Sequence, residues 1–386
     1  MKAVLSTIGK FHTFDLARQL DSRGALEAIY SGYPRFKLNN EGLAGNKVKT
    51  FPWLHGSYMA LPRLRYWLGE GFTREWEYWD RVTFDAYVAA TLPECDLFSG
   101  LSGSALMTGK KAKSRGIGYV CDRGSAHIRC QDDILKEEFD RWGMSFPGID
   151  PRIVEREEAE YELADLITVP STFALNSFVK YGVKREKMRL VPYGVNLSKF
   201  SQTAVPDRDC FDVLFVGGAT LQKGVPYLLK AFQNLAHPRK TLTFVGSYTQ
   251  SFIGQMKAQG LISDNVRFMG HVRQDLLKDW YSRSHVMVLP SVQEGLAMVQ
   301  AQAMACGCPV IASENTGSRD LFSDGCEGYI VPIRMSDAIT EKLQRLADDP
   351  DLRNRMSTSA LSRVKSLGGW DAYGERMYSV FFELCS

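Results

Sequence analysis

The feature that most constrains this chain is a repeating unit: a short, continuous run of β-branched and other apolar residues, then an amphipathic stretch long enough for a helix. Such runs occupy Ala3 to Thr7, Asp96 to Ser99, Gly118 to Cys121, Leu166 to Pro170 and Met188 to Pro192. After a polar, turn-rich stretch from Ser198 to Asp209 they resume at Val213 to Gly217, Leu242 to Gly246, Val266 to Met269, Val286 to Pro290, Pro309 to Ala312 and Tyr329 to Pro332. A strand with one wet face alternates apolar and polar residues, whereas a run apolar throughout belongs to a strand covered on both faces. The pattern predicts an α/β fold of doubly wound parallel sheets, and the break near residue 200 predicts two of them. A chain of 386 residues is long enough for two domains, each with its own core, and a cleft between them.

The same reading excludes several classes. No window reaches 18 uninterrupted apolar residues, so no spanning helix is expected and any membrane contact lies at the surface. The first residues lack the charged leader, long apolar stretch and small-residue cleavage site of a signal peptide. The eight cysteines, at 95, 121, 130, 210, 306, 308, 326 and 385, include no C-x-x-C and no framework spacing, which predicts reduced thiols and a cytoplasmic chain. Lys plus Arg number 47 against 44 Asp plus Glu, and a net charge of +3 gives no ground for a nucleic-acid partner. Asp207-Arg208-Asp209 and Asp349-Pro350-Asp351 are formally D-x-D but do not follow strands, as a metal-diphosphate site requires. Cys306-x-Cys308 has no His or Cys cluster beside it, so neither a metal nor a resident cofactor is expected.

One segment breaks the alternation. Residues 33–74 carry Arg35, Lys37, Lys47, Lys49, Arg63, Arg65 and Arg74 against Glu41 and Glu70, interleaved with Phe36, Phe51, Trp53, Tyr58, Tyr66, Trp67 and Phe72. The segment reads as a solvated basic loop over a small helical core, or as a face that docks on an anionic membrane surface or a lipid-linked substrate.

Gly217 and Gly218 end a strand, and Lys223-Gly224 precede the apolar-periodic Val225 to Phe232. A glycine turn feeding a helix presents free N–H groups and the positive end of the helix dipole to an anion; Lys223 adds a full charge, which is the physics of a diphosphate site. Neither G-x-G-x-x-G nor G-x-x-x-x-G-K-[ST] is present, so the turn is neither a dinucleotide fingerprint nor a P-loop. In Pro290-Ser291-Val292-Gln293-Glu294-Gly295, Glu294 stands at a strand's carboxyl end, where open α/β sheets place ligands, before a helix expected from about Leu296 and ended by Gly307. The structural alternatives are a plain turn with a surface lysine and an acidic residue placed for the helix dipole. His127, in Asp122-Arg123-Gly124-Ser125-Ala126-His127, is either a satisfied structural histidine or a residue facing the cleft, and its polar neighbours favour the second. Glu160 reads as part of a charged helix face.

V-G-G-x-x-x-x-K-G-V-P-Y-L-L-x-A-F and, about 70 residues on, P-S-V-x-E-G-L-A-M-V-Q-A-x-A-M-A-C-G-x-P-V-I resemble the donor domain of the family 4 retaining glycosyltransferases, the glycosyl transferases group 1, of the GT-B fold. Val191-Pro192-Tyr193-Gly194-Val195-Asn196 with Phe200 is similar to the family's P-x-G-V-D-x-x-x-F hinge. The resemblance implies two Rossmann-like domains facing across a cleft. Residues 1–197, with a C-terminal helix at about 370–386, would bind the acceptor, and residues 198–369 the nucleotide-sugar donor.

Carried onto this chain, the resemblance implies a catalytic set of Lys223 on the donor diphosphate, Glu294 on hydroxyls of the transferred sugar and His127 on the sugar at the cleft. The donor positions it implies begin with Gly9, in the acceptor-side glycine loop, and Gly217 and Gly218. Gly270, His271 and Val272 would read the nucleobase, Ser291, Gly295, Leu296 and Ala297 would line sugar and phosphate, and Gln302 would meet the ribose. Gln302 stands where the family's E-x7-E has its second glutamate, and an amide offers one acceptor oxygen where a carboxylate accepts from both ribose hydroxyls. Gly218 stands where the family often has arginine, so the diphosphate loses a bidentate partner.

The expected function is transfer of a sugar from a nucleotide-diphosphate sugar, as co-substrate, to a glycan or lipid-linked acceptor. Retention of configuration, independence of metal and a place in cell-surface polysaccharide or glycolipid synthesis complete the expectation. A GT-B nucleotide-sugar epimerase and a non-catalytic GT-B protein that binds glycans or scaffolds an assembly are the alternatives.

Overall fold

The computed structural model describes residues 1–385, with side chains throughout except at 62–66. The described strands form two sheets, and every pairing is parallel. The first holds β1 (Ala3–Thr7), β2 (Leu26–Ser31), β3 (Val48–Thr50), β4 (Leu97–Leu101), β5 (Gly118–Asp122), β6 (Leu166–Val169) and β7 (Met188–Leu190), ordered β3-β2-β1-β4-β5-β6-β7. The second holds β8 (Phe211–Val216), β9 (Lys240–Val245), β10 (Val266–Phe268), β11 (Val286–Leu289), β12 (Val310–Ser313) and β13 (Gly328–Val331), ordered β10-β9-β8-β11-β12-β13. Strand order reverses beside β1 in one sheet and beside β8 in the other, which opens a ligand crevice at each carboxyl edge.

Both faces of each sheet are covered, which is why the strand runs are apolar at every position. In β1, Ala3 and Leu5 enter one core and Val4 another; in β4, Leu97 and Phe98 divide the same way. Two strands were not expected. Glu27 interrupts the apolar run of β2, and β3 is only three residues long at the sheet edge, paired Ile29 to Val48. Part of the 33–74 segment therefore belongs to the sheet. The rest forms short turns at Arg35–Lys37 and Asn39–Glu41, the helix His55–Ala60 and the start of the helix Pro62–Thr91, which leaves helical geometry at Gly69 (φ 84°). Arg63, Arg65 and Tyr66 lie outside the described side chains.

The chain crosses between the sheets twice, and the crossings touch. A Cβ on Gly194 would lie 2.3 Å from the carbonyl carbon of Gly369, so only glycine permits this backbone contact. The C-terminal helix Gly369–Cys385 then packs on the helix Thr13–Ser22 of the first domain, where Gln19 Nε2 donates to Asp371 Oδ1 at 2.7 Å. The eight thiols are free; Cys306 and Cys308 are fully buried core residues, and desolvation pushes the Cys306 thiol up to about 12. Among the described residues no helix is long and apolar enough to cross a membrane.

Candidate active site

The carboxyl end of the second sheet is a stack of tight turns. Gly217 N–H donates to Val245 O, and Gly246 N–H to Gly270 O, both at 2.9 Å, while a Cβ on Gly246 (φ 140°) would fall 2.0 Å from Gly217 O. Glycine therefore lets the turns after β8, β9 and β10 lie backbone to backbone. The half-buried Gly218 lies between bonded neighbours, and its N–H has no partner among the described residues. Farther along, Gly224 (φ 66°) presses on the end of β11, where its Cβ would sit 2.0 Å from Pro290 O.

That contact brings Lys223 to Glu294. Lys223 Nζ forms an ion pair with Glu294 Oε1, which also accepts from Ser291 Oγ at 3.1 Å. Gln222 straps the two loops together: its Nε2 donates to Gln293 Oε1 at 3.0 Å and its carbonyl accepts from Val292 N–H at 2.8 Å. Glu294 N–H donates to Asn315 O at 3.1 Å and Ala297 N–H to Thr316 O at 3.2 Å, so two of the loop's donors are already taken. Ala297 is extended (φ −80°, ψ 102°), so the helix begins at Met298 and not at Leu296 as expected. The N–H groups of Gly295 and Leu296 have no partner among the described residues. A cation, a carboxylate and free N–H donors thus converge where a crevice opens, an arrangement able to hold an anion beside a polyhydroxylated group.

The loop bearing Glu294 also makes the junction between domains. A Cβ on Gly295 would fall 1.9 Å from Gly124 O, Gln293 Nε2 donates to Ser125 Oγ at 2.7 Å, and Ser171 Oγ donates to Gly295 O at 2.6 Å. Next to it lies a cleft of about 830 Å³, lined from the first domain by Ile8, Lys10, His12, Arg81, Arg123 and Ser125 and from the second by Gln274, Met298 and Gln302. Of the expected donor residues Gln302 lines this cleft, with its Oε1 accepting from Tyr281 Oη at 3.3 Å. Gly9 lies between Ile8 and Lys10, and its carbonyl accepts from Ser31 Oγ at 3.1 Å. Lys223 and Glu294 lie outside the cleft lining, in the loops that abut it. Ser291, Leu296 and Ala297 are buried, Val272 packs on the second core, and His271 is exposed in the β10 turn beside Gly270.

His127 is placed differently from its expectation at the cleft. It is the N-cap of the helix Ile128–Arg141, with Nδ1 accepting from Arg129 N–H at 3.3 Å, and its buried ring stacks on Tyr181 at 4.9 Å among Tyr161 and Phe178. Desolvation lowers its pKa to about 4, so the ring is a neutral cap. Glu160 likewise does not lie on a solvated helix face. It is fully buried, accepts from the N–H groups of Gly103 at 2.5 Å and Ala105 at 2.8 Å, and burial raises its pKa to about 8. The histidine that does face the cleft is His12, whose Nε2 lies 2.6 Å from Asp122 Oδ2. Sequence reading missed this pair, because its members are 110 residues apart.

Cys210, Asp212 and His285 cluster within 4.8 Å, as a metal site would. His285 is already committed, however: Nδ1 accepts from Asp212 N–H and Nε2 meets Asp207 O, both at 2.9 Å, which leaves no lone pair for an ion. In the two D-x-D sequences, Asp207 accepts from Asp209 N–H and Asp349 caps the helix Pro350–Ser366.

Two wholly parallel sheets meeting across a cleft, with crevices at their carboxyl edges, are the GT-B architecture. The whole chain superposes on sucrose-phosphate synthase from Thermosynechococcus elongatus with TM-score 0.72 at 20% identity, covering 99% of that chain. It superposes equally, over 99% of its length, on Anabaena HepE in complex with UDP and glucose, with TM-score 0.72 at 16% identity and all of that chain covered. Within this architecture residues 199–363 match the model of the family Glycosyl transferases group 1. Over 52% of the chain, identity is 30% to the D-inositol 3-phosphate glycosyltransferase of Thermomonospora curvata, and over 45% it is 28% to the Alpha-D-kanosaminyltransferase of Streptomyces kanamyceticus. These matches cover 52% and 45% of those two proteins, so the chain spans about half the length of the curated relatives it matches.

Proposed function

We propose that the protein is a glycosyltransferase that moves a sugar from a nucleoside-diphosphate sugar, held by the second domain, to a hydroxyl of an acceptor held by the first. The observation that carries this reading is the convergence of Lys223, Ser291 and Glu294 at the joined ends of β8 and β11, inside the group 1 domain. Phosphate oxygens would draw Lys223 away from Glu294, and the released carboxylate would accept from sugar hydroxyls. As the diphosphate departs, Lys223 and the free N–H groups of Gly218, Gly295 and Leu296 would offset its growing charge, which is electrostatic catalysis. UDP-glucose is a natural first probe, since HepE has been crystallised with UDP and with UDP-glucose. A thermal-shift panel of UDP-glucose, UDP-N-acetylglucosamine, UDP-galactose and GDP-mannose tests the reading, because a bound donor raises the melting temperature by mass action. A flat response to every donor sinks it.

Retention of configuration and independence of metal belong to the same proposal. The resemblance of the donor motifs supports the first. The anomeric configuration of the product, read by NMR, and turnover unchanged by EDTA are the corresponding tests. A place in cell-surface polysaccharide or glycolipid synthesis fits a second observation. Phe36, Trp53, Met59, Leu61 and Trp67 are all exposed, Trp53 by 75% and Trp67 by 80%, near the exposed Arg35, Lys37 and Lys49. Interfacial aromatics beside basic residues suit an anionic membrane surface, at which a lipid-linked acceptor would lie. Trp53→Ala with Trp67→Ala should lower co-sedimentation with phosphatidylglycerol vesicles; an unchanged pellet fraction rejects membrane docking.

A further inference from the structure

We propose that the first domain's side of the cleft holds a subsite for an anionic group of the acceptor, a phosphate or a carboxylate, with Arg81 as the residue that reads it; this rests on the transferase reading above. The first domain lines the cleft with four Lys and Arg side chains, and three of them are spent within the protein. Lys10 pairs with Glu41 Oε1 at 2.5 Å, Arg18 with Glu41 Oε2 at 2.8 Å and with Asp15, and Arg123 with Glu157 Oε2 at 2.7 Å. Arg123 also donates to Ala126 O at 3.0 Å, Ser102 Oγ at 3.2 Å and Gln131 Oε1 at 2.8 Å, which commits most of its fork. Arg81 is the exception. It is half-buried on the helix Pro62–Thr91, and its guanidinium has no hydrogen bond or ion pair among the described residues.

The turn after β4 sets its place. A Cβ on Gly103 (φ 85°) would fall 2.6 Å from Arg81 Nη1, so glycine is what lets the guanidinium lie against the turn. The turn is braced from the other side: Glu160 accepts from the N–H groups of Gly103 and Ala105, while Arg156 donates to Gly103 O at 3.3 Å and pairs with the buried Asp85. The acids nearby are thereby taken. Glu160 serves these N–H groups, and Glu157, whose Oε1 would lie 3.0 Å from the same Cβ, serves Arg123 and Tyr161 Oη. Ser102 adds a second donor, since its Oγ accepts from Arg123 and its own hydroxyl hydrogen, in the cleft lining, has no acceptor among the described residues.

A guanidinium partly withdrawn from water and left without an anion is costly, and a ligand that supplies the anion relieves that cost. The parallel N–H groups of arginine match two oxygens of a phosphate or a carboxylate. Lys199, the other unpaired cation of the cleft, is exposed at the crossing, where water meets its charge. Arg81, Ser102 and Gly103 gather at the carboxyl end of β4 in the first sheet, whereas Lys223 and Glu294 stand at the ends of β8 and β11. A sugar's own phosphate or carboxylate and the diphosphate of a lipid carrier share the chemistry that this subsite takes.

The test uses the full chain saturated with whichever of UDP and GDP it binds more tightly, so that the donor site is filled. Calorimetry then compares glucose 1-phosphate and glucuronate with glucose, and geranyl diphosphate with geraniol. At least one anionic probe should bind about tenfold or more tighter than its neutral counterpart, the worth of one charge-assisted contact, and the pair that shows it names the source. Arg81→Ala should abolish that preference and Arg81→Lys should keep part of it, with nucleotide affinity within about twofold of wild type. Arg81→Gln, closer in length, replaces the alanine variant should that fold poorly. No preference for any anion in the wild type, or one that survives Arg81→Ala, overturns the proposal. A parallel loss of nucleotide affinity overturns it as well, by giving the arginine to the donor's diphosphate. Wild-type protein that binds neither nucleotide instead overturns the transferase reading, and the acceptor assignment with it.

Discussion

Two side-chain pairs flank the domain junction, and they are built to different rules. Lys223 and Glu294, with side chains 27% and 14% exposed, meet at the tips of two loops in the second domain. His12 and Asp122 are 7% and 8% exposed and are held further by Thr168 and Tyr193. A partly exposed ion pair is worth about 1 kcal/mol or less, so a ligand that offers each partner something better can open it. A buried carboxylate is costly to strip of its hydrogen-bond partners and therefore keeps its geometry. The second domain thus carries a pair of charges that a ligand could separate, and the first holds its histidine ring in place.

The largest expected effect tests the first half of this contrast. Lys223→Ala and Glu294→Ala should each lower transfer about 10²- to 10³-fold, the scale for losing a transition-state electrostatic contact, with thermal unfolding nearly unchanged. Near-normal rates in either variant would remove the pair from the donor site. Asp122→Ala should do the reverse of leaving stability alone: it strips buried His12 and Thr168 of their partner, and urea titration should show a loss of about 2 kcal/mol. Equal stability losses in the two sets of variants would break the comparison.

The same contrast explains what could be read from sequence. Lys223 and Glu294 each follow an apolar run within ten residues, so strand end, turn and charge are visible in a single window. Each strand of the second sheet was legible for the same reason, whereas β2 hid behind Glu27 and β3 was too short to register. The pairing of His12 with Asp122 depends on the order β1-β4-β5, a property of the sheet and not of any window. His127 misled because it shares a short loop with Arg123 and Ser125, which do line the cleft. The chain leaves β5 after Asp122, lines the cleft with Arg123, Gly124 and Ser125, and turns within five residues of the strand's end to bury His127 as a helix cap.

A pH experiment separates the two histidines. His127 titrates near 4 in the folded chain and near 6.5 when unfolded, so between those values the unfolded state binds more protons. Its contribution to stability is therefore complete above about pH 6.5 and is lost as pH falls toward 4. Asparagine also caps helices but does not titrate. His127→Asn should thus flatten the fall in urea midpoint across this window while leaving UDP affinity unchanged. A variant that loses UDP binding would return His127 to the donor site.

The smallest effect concerns Gln302, the residue of the donor set that lines the cleft. Its Oε1 accepts from Tyr281 Oη at 3.3 Å, and burial holds that phenol protonated by pushing its pKa well up. One amide oxygen is thus partly occupied, whereas a carboxylate could accept from Tyr281 and still offer an oxygen to a ribose hydroxyl. If Gln302 meets the ribose, Gln302→Glu should tighten UDP binding by up to about tenfold, the worth of one added charge-assisted hydrogen bond of roughly 1.4 kcal/mol. Calorimetry with UDP reads this directly, and an unchanged dissociation constant would place the ribose elsewhere. In that case Gln302, beside Met298 in the cleft that His12 lines from the other domain, would belong with the acceptor.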